Sequence, residues 1–136
     1  MIRSLRLIIY LSALTLLMGC AGDERKFPKL GQVTRIRVVD NMDHDIGPEI
    51  TDRQKIEQIV EFVDSRRSGW TKPWYGVPVP SVCADFYDGS IFKGHFGAGI
   101  NFFETNRSSF WSKNATPSEI QQFLDMVGVP REKIKR

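Results

Sequence analysis

Between residues 51 and 70 the apolar positions Ile56, Ile59, Val60 and Val63 recur at i, i+3, i+4 and i+7. That spacing puts one apolar stripe on a helix. Thr51 stands where an N-cap is needed, and Gln54 three residues later completes a capping-box pattern. Asp52 suits the positive end of the helix, Arg66 and Arg67 the negative end, and Gly69 a left-handed stop. "ATPSEIQQFLDMVG" predicts a second helix on the same logic. Thr116 caps it, Pro117 takes the first helical position, and Glu119 completes another box. Ile120, Phe123, Leu124 and Val127 form its stripe, and Gly128 ends it.

Elsewhere the period is two. In "QVTRIRVVD", residues 32–40, Thr34, Ile36 and Val38 share a candidate core face. Val33, Arg35, Arg37 and Val39 take the other face, where the arginines require water. "VCADFYDGSIFKGHF" predicts a hairpin turning at Asp88-Gly89. In that register Tyr87 pairs with Ser90 and Cys83 with Gly94, so His95 falls opposite Val82, away from the Cys83 face. "GINFFET" predicts a third strand and "SSFWSK" a further one. "WTKPWYGVPVPS" is loop or edge, because Pro73, Pro78 and Pro80 offer no ladder donor. The order β-α-β-β-β-(β)-α predicts an α+β fold: a small, mainly antiparallel sheet of four to five strands packed by two helices.

The amino terminus is of another kind. "MIRSLR" holds Arg3 and Arg6 and no acid, and Leu7 to Met18 runs for twelve residues without a charge. A spanning helix needs roughly 20 apolar residues. A secretory h-region needs about 7–15. A buried core helix would show a polar face at helical spacing, and none repeats here. Leu17-Met18-Gly19-Cys20 then resembles the lipobox of bacterial lipoproteins, with an aliphatic residue three before the cysteine and a small residue directly before it. Met18 departs from the pattern, which more often has a small or hydroxylated residue there. The resemblance covers the first twenty residues; no family is recognised for residues 21–136. It implies cleavage before Cys20, a diacylglycerol on the Cys20 thiol and an acyl group on the new amine. Each buried methylene adds about 0.8 kcal/mol, and two or more chains anchor stably. Ala21, where aspartate tends to retain such proteins in the inner membrane, implies an outer-membrane address facing the periplasm.

Residues 1–19 are therefore expected to be a cleaved signal peptide. Residues 20–31 are then the lipidated cysteine and a short polar tether, and residues 32–136 one α+β domain. Loss of Arg3 and Arg6 lowers the basic count from 19 to 17 against 16 acids, so the net charge falls from +3 to +1. No concentrated basic face points to nucleic acid, and the tail Arg131–Arg136 reads as a solvated end. The partners expected are the membrane, through Cys20, and an envelope protein, a peptide or peptidoglycan.

With Cys20 acylated, Cys83 has no partner within the chain. It is then either a buried small hydrophobe, favoured by its neighbours Val82, Ala84 and Phe86, or an odd thiol open to intermolecular pairing. A Cys83–His95 dyad would need a register that sets the two opposite each other. "NMDHDIG" begins like a calcium loop with Asn41, Asp43 and Asp45, but Ile46 sits where glycine is required and Asp52 where glutamate is. A solvated acidic turn explains it better. "HFGAGINFF" lacks the Lys-Ser/Thr and the helix that a phosphate loop needs.

No catalytic grouping, metal site or cofactor is therefore assigned. An enzyme, such as a small hydrolase using acidic residues or Cys83 with His95, remains the alternative class, and a purely structural envelope protein a third. The candidate binding surface is Trp74 and Tyr75, with Trp70 beside them. Aromatic side chains of this kind are enriched where interfaces derive their affinity. For Trp70, closing the helix onto the core is the favoured role. In the pairs Phe102–Phe103 and Phe110–Trp111, alternation should turn one ring of each inward.

Overall fold

A computed structural model describes residues 29–76, 78–107 and 109–134. Cys20, the signal segment and most of the tether lie outside the described residues. Five strands form one antiparallel sheet in the order β1-β2-β3-β4-β5. They are β1 (Arg35–Val39), β2 (Val82–Asp88), β3 (Ile91–Ala98), β4 (Phe102–Thr105) and β5 (Trp111–Asn114), with helix α1 (Arg53–Asp64) after β1 and α2 (Pro117–Val127) after β5. This is the α+β arrangement expected. Among the described residues no helix is long and apolar enough to cross a membrane.

Both helices pack on one face. α1 buries Ile56, Ile59, Phe62 and Val63, and α2 buries Ile120, Phe123, Leu124 and Val127. Alternation on the strands supplies the facing layer: Ile36 and Val38, then Val82, Ala84 and Phe86, then Phe96 and Ala98, then Phe103. At the centre the rings of Phe96 and Phe103 lie 4.8 Å apart, Phe96 and Phe123 5.3 Å, and Phe62 stands edge-on to Phe96 at 6.1 Å. Such pairs add about 0.5–1.5 kcal/mol beyond their burial. Leu30, within the segment read as tether, is 3% exposed and belongs to this core.

The α2 signals hold in full. Thr116 Oγ1 accepts from the Glu119 amide, the Glu119 carboxylate accepts from the Thr116 amide, and Gly128 is left-handed at φ 73°. At α1 the cap is Asp52, not Thr51: its carboxylate accepts from the Lys55 amide at 2.8 Å. The helix also stops at Asp64, with Ser65 as a right-handed C-cap, well before Gly69.

The hairpin register differs from the expectation. Asp88 pairs with Ile91, so Gly89 and Ser90 form the turn. Gly89 has φ 59°, as a type II′ turn requires at its first central position. A bulge between Phe86 and Tyr87 then shifts the ladder by one, so Phe86 pairs with Gly94, Asp85 with His95 and Cys83 with Gly97. One extra residue reverses which side chains face which way. His95 therefore shares the helix-free face with Cys83 and Asp85, not the opposite face.

Backbone bridges occupy the sheet's two outer strands. Ile36 and Ile50 exchange amide-to-carbonyl hydrogen bonds beside β1, where the Ile46 amide also donates to Val38. Thr71 and Ser112 exchange a pair at 2.9 Å beside β5.

Candidate functional site

On the helix-free face, polar side chains replace the apolar layer. Cys83 and Asp85 come from β2, His95 from β3 and Glu104 from β4, each the alternate of a core residue. His95 is clamped at three points. Its amide donates to Asn106 Oδ1 at 2.9 Å, its carbonyl accepts from Thr105 Oγ1 at 2.8 Å, and its Nε2 lies 2.5 Å from Glu104 Oε2. Glu104 is 1% exposed, and its other oxygen, Oε1, is buried without a hydrogen-bond partner. Buried polar atoms are nearly always paired, so this atom calls for an explanation.

These side chains line a cleft of about 300 Å³. Pro78, Val79, Pro80 and Phe110 supply its apolar wall; Asp40 and Asp43 also line it. Pro80 lies so close to β3 that a Cβ on Gly97 would fall 2.6 Å from its ring and 3.1 Å from Cys83 Sγ. Close packing, not anion binding, accounts for that glycine. At Gly99 a Cβ would meet the Phe102 ring at 2.1 Å.

The electrostatics follow from burial. Asp85 is raised above the ordinary carboxylate range, chiefly by burial, with His95 opposing. The Cys83 thiol is pushed up to about 12, first by burial and then by the charges of Glu104, Asp85 and Asp40. It is 7% exposed, and a buried small hydrophobe is its role. His95 gives its Nε2 to Glu104, so it is not available to Cys83 as a base through that nitrogen.

The acidic turn is committed internally. Asp40 accepts from the amides of Met42 at 2.8 Å and His44 at 3.0 Å, and meets His44 Nδ1 at 3.1 Å. The His44 amide first and then the Met42 amide hold Asp40 below the usual carboxylate range. Arg37 donates to Asp45 Oδ1 from Nε and Nη2 at 3.2 and 3.0 Å, and its Nη1 lies 3.5 Å from Asp43. Two of the supposed calcium carboxylates therefore serve an arginine. Among the described residues no group of three or more His, Cys, Asp or Glu is placed to hold a metal ion.

The three aromatic candidates separate. Trp70, named with the surface pair but favoured for the core, is 9% exposed within the core and leaves the surface pair, its Nε1 donating to the Arg66 carbonyl at 2.6 Å. Trp74 is 91% exposed and Tyr75 73%, with their rings edge to face at 5.5 Å. Phe103 is buried and Phe110 exposed. A larger cavity, about 1010 Å³, lies along α1. Of its charged lining groups, Lys29, Arg53, Glu57 and Glu61 are exposed and mixed in sign, and the half-buried Asp64 is bonded to Arg107.

Asp85 and Glu104 were not among the candidates read from sequence. The available signal was an acid inside an apolar strand run, "VCADFY" and "NFFET". Compared with known proteins, the chain matches no family model, no curated protein and no solved structure.

Proposed function

We propose that this is a lipid-anchored cell-envelope protein, attached through Cys20 on the periplasmic side of the outer membrane. On this reading its domain binds a protein, peptide or cell-wall partner through the 71–80 loop and the cleft beside it. The carrying observation is the exposure of Trp74 and Tyr75, 91% and 73%, as a ring pair. Tryptophan is seldom left so open. Burying one large apolar side chain yields roughly 1.5–3 kcal/mol, which a partner can recover. Aromatic rings also lose little rotamer freedom on binding. Val79 at 66% and Phe110 at 48% exposure add apolar surface to the same region.

The anchor rests on the basic start, the short apolar run and Leu17-Met18-Gly19-Cys20. Replacing Cys20 with serine should release the chain from carbonate-washed membranes and remove the acyl mass. For the domain, affinity purification of the full chain is compared with the double variant Trp74→Ala/Tyr75→Ala. The variant should lose partners that the wild type retains; an unchanged set would remove the basis of the loop reading.

An acid–base enzyme is a second reading, favoured by His95 held on Glu104 with Asp85 in the same cleft. A nucleophilic Cys83 is disfavoured, because burial keeps it a thiol. Turnover of ester, peptide or glycan substrates by the pure protein, lost in His95→Ala, would establish that reading.

A further inference from the structure

Glu104 treats its two oxygens unequally. Oε2 is engaged by His95, whereas Oε1 is buried and unpartnered on a side chain that is 1% exposed. The fold keeps a buried acceptor that it does not itself satisfy, and this side chain lines a cleft. Asp85 lines the same cleft, and the wall beside them is apolar: Pro78, Val79, Pro80 and Phe110. Of the remaining acids there, Asp40 is spent on its own turn and Asp43 on Arg37. His95 is the cationic candidate among the lining residues, and it is already bonded to Glu104.

Resting on the binding-module reading above, we propose that this cleft takes the alkylammonium end of a lysine-type side chain on a peptide partner. The ammonium donates to Glu104 Oε1 and to Asp85, and its methylene stem lies along the proline wall. At Glu104 a guanidinium fits less well, because its fork is matched to two free oxygens of one carboxylate, and there Oε2 is taken by His95. An ammonium is a compact charge with three independent donors, suited to the single free oxygen of Glu104 together with the Asp85 carboxylate beside it. The volume of about 300 Å³ lies at the small end of ligand clefts, the scale of a side chain rather than a cofactor.

The test uses the full chain in detergent micelles, ¹⁵N-labelled and observed by NMR. The probes are the Nα-acetyl methylamides of lysine, norleucine and arginine. Saturable shifts at the His95, Gly97 and Glu104 amides are expected with lysine, with affinity at least tenfold weaker for norleucine and weaker for arginine. Glu104→Gln should weaken lysine binding tenfold or more. Equal response to norleucine or arginine, or an undiminished Glu104→Gln, overturns the proposal. If Glu104→Gln fails to fold by circular dichroism, Asp85→Asn carries the test, and unchanged lysine affinity in that variant overturns it. The two readings fail separately. Absent lysine binding, with partners still lost in Trp74→Ala/Tyr75→Ala, removes only the ammonium assignment. Lysine binding with an unchanged partner set removes the loop's role instead.

Discussion

Arg107 Nη1 lies 2.6 Å from Asp64 Oδ1, joining the end of α1 to the loop after β4 with side chains only 4% and 15% exposed. The same Asp64 oxygen accepts from the Leu30 amide at 3.3 Å. Burial lowers the Arg107 guanidinium from its ordinary range, and Asp64 pulls it back. One carboxylate thus fastens the first described residues, a helix end and a strand loop to each other.

Removing one member leaves a charge out of water without its counterpart, which costs about 3–5 kcal/mol. Asp64→Ala and Arg107→Ala should each lower the unfolding free energy by an amount in that range. The double variant should cost clearly less than their sum. Strict additivity in urea melts would show that the pair is not coupled.

Gly97→Ala should destabilise the protein by about 1–3 kcal/mol, the usual range for overpacking. The added methyl would stand 2.6 Å from Pro80, which cannot swing aside as a flexible side chain would. Gly76→Ala is the contrast: nothing lies within 4 Å, and its cost comes from φ 116° alone. Thermal melts of both variants separate crowding from backbone strain, and an unaffected Gly97→Ala would mean that the loop lifts freely.

Cys83 should resist alkylation in the native protein at pH 7–8 and react fully once unfolded. With the thiol raised to about 12, the thiolate is a minute fraction at neutral pH. Timed iodoacetamide labelling with and without urea measures the ratio. Prompt native labelling would revive a nucleophilic role.

Glu119 sits below the ordinary carboxylate range, chiefly because it accepts from the Thr116 amide. Its folded value is thus depressed relative to the unfolded chain. The stabilisation is present above the unfolded value, about pH 4.3, and is lost as pH falls through the folded one. Glu119→Ala should therefore lower stability at pH 7 and converge on wild type as pH falls below the depressed folded value. Thr116→Ala should cost about 1 kcal/mol. A stability gap for Glu119→Ala that does not vary with pH would show that the carboxylate carries none of the effect.

The helix signals were legible because they are local. The α2 cap, proline, box, stripe and glycine all stand where the sequence puts them. At α1 Thr51 and Asp52 are adjacent cap residues, aspartate is the stronger by type, and it is Asp52 that accepts from the Lys55 amide. Phe62 stands beside the apolar stripe, and the rings of Phe96 and Phe103 on the sheet and Phe123 on α2 explain its burial. The site was less legible. Whether His95 faces Cys83 turns on one bulged residue, and turn preference gives no sign of the register shift between Phe86 and Tyr87. Glu104 looks like any strand acid until three strands are set side by side.

The bridges on the two outer strands restrict how anything else can meet this sheet. Strand addition needs a free row of amides and carbonyls. Beside β1 the outward groups of Ile36 already belong to Ile50, and beside β5 those of Ser112 belong to Thr71. The same closure blunts edge-to-edge self-association. A partner has little main chain to read along these edges, so recognition falls to side chains and to the face they occupy.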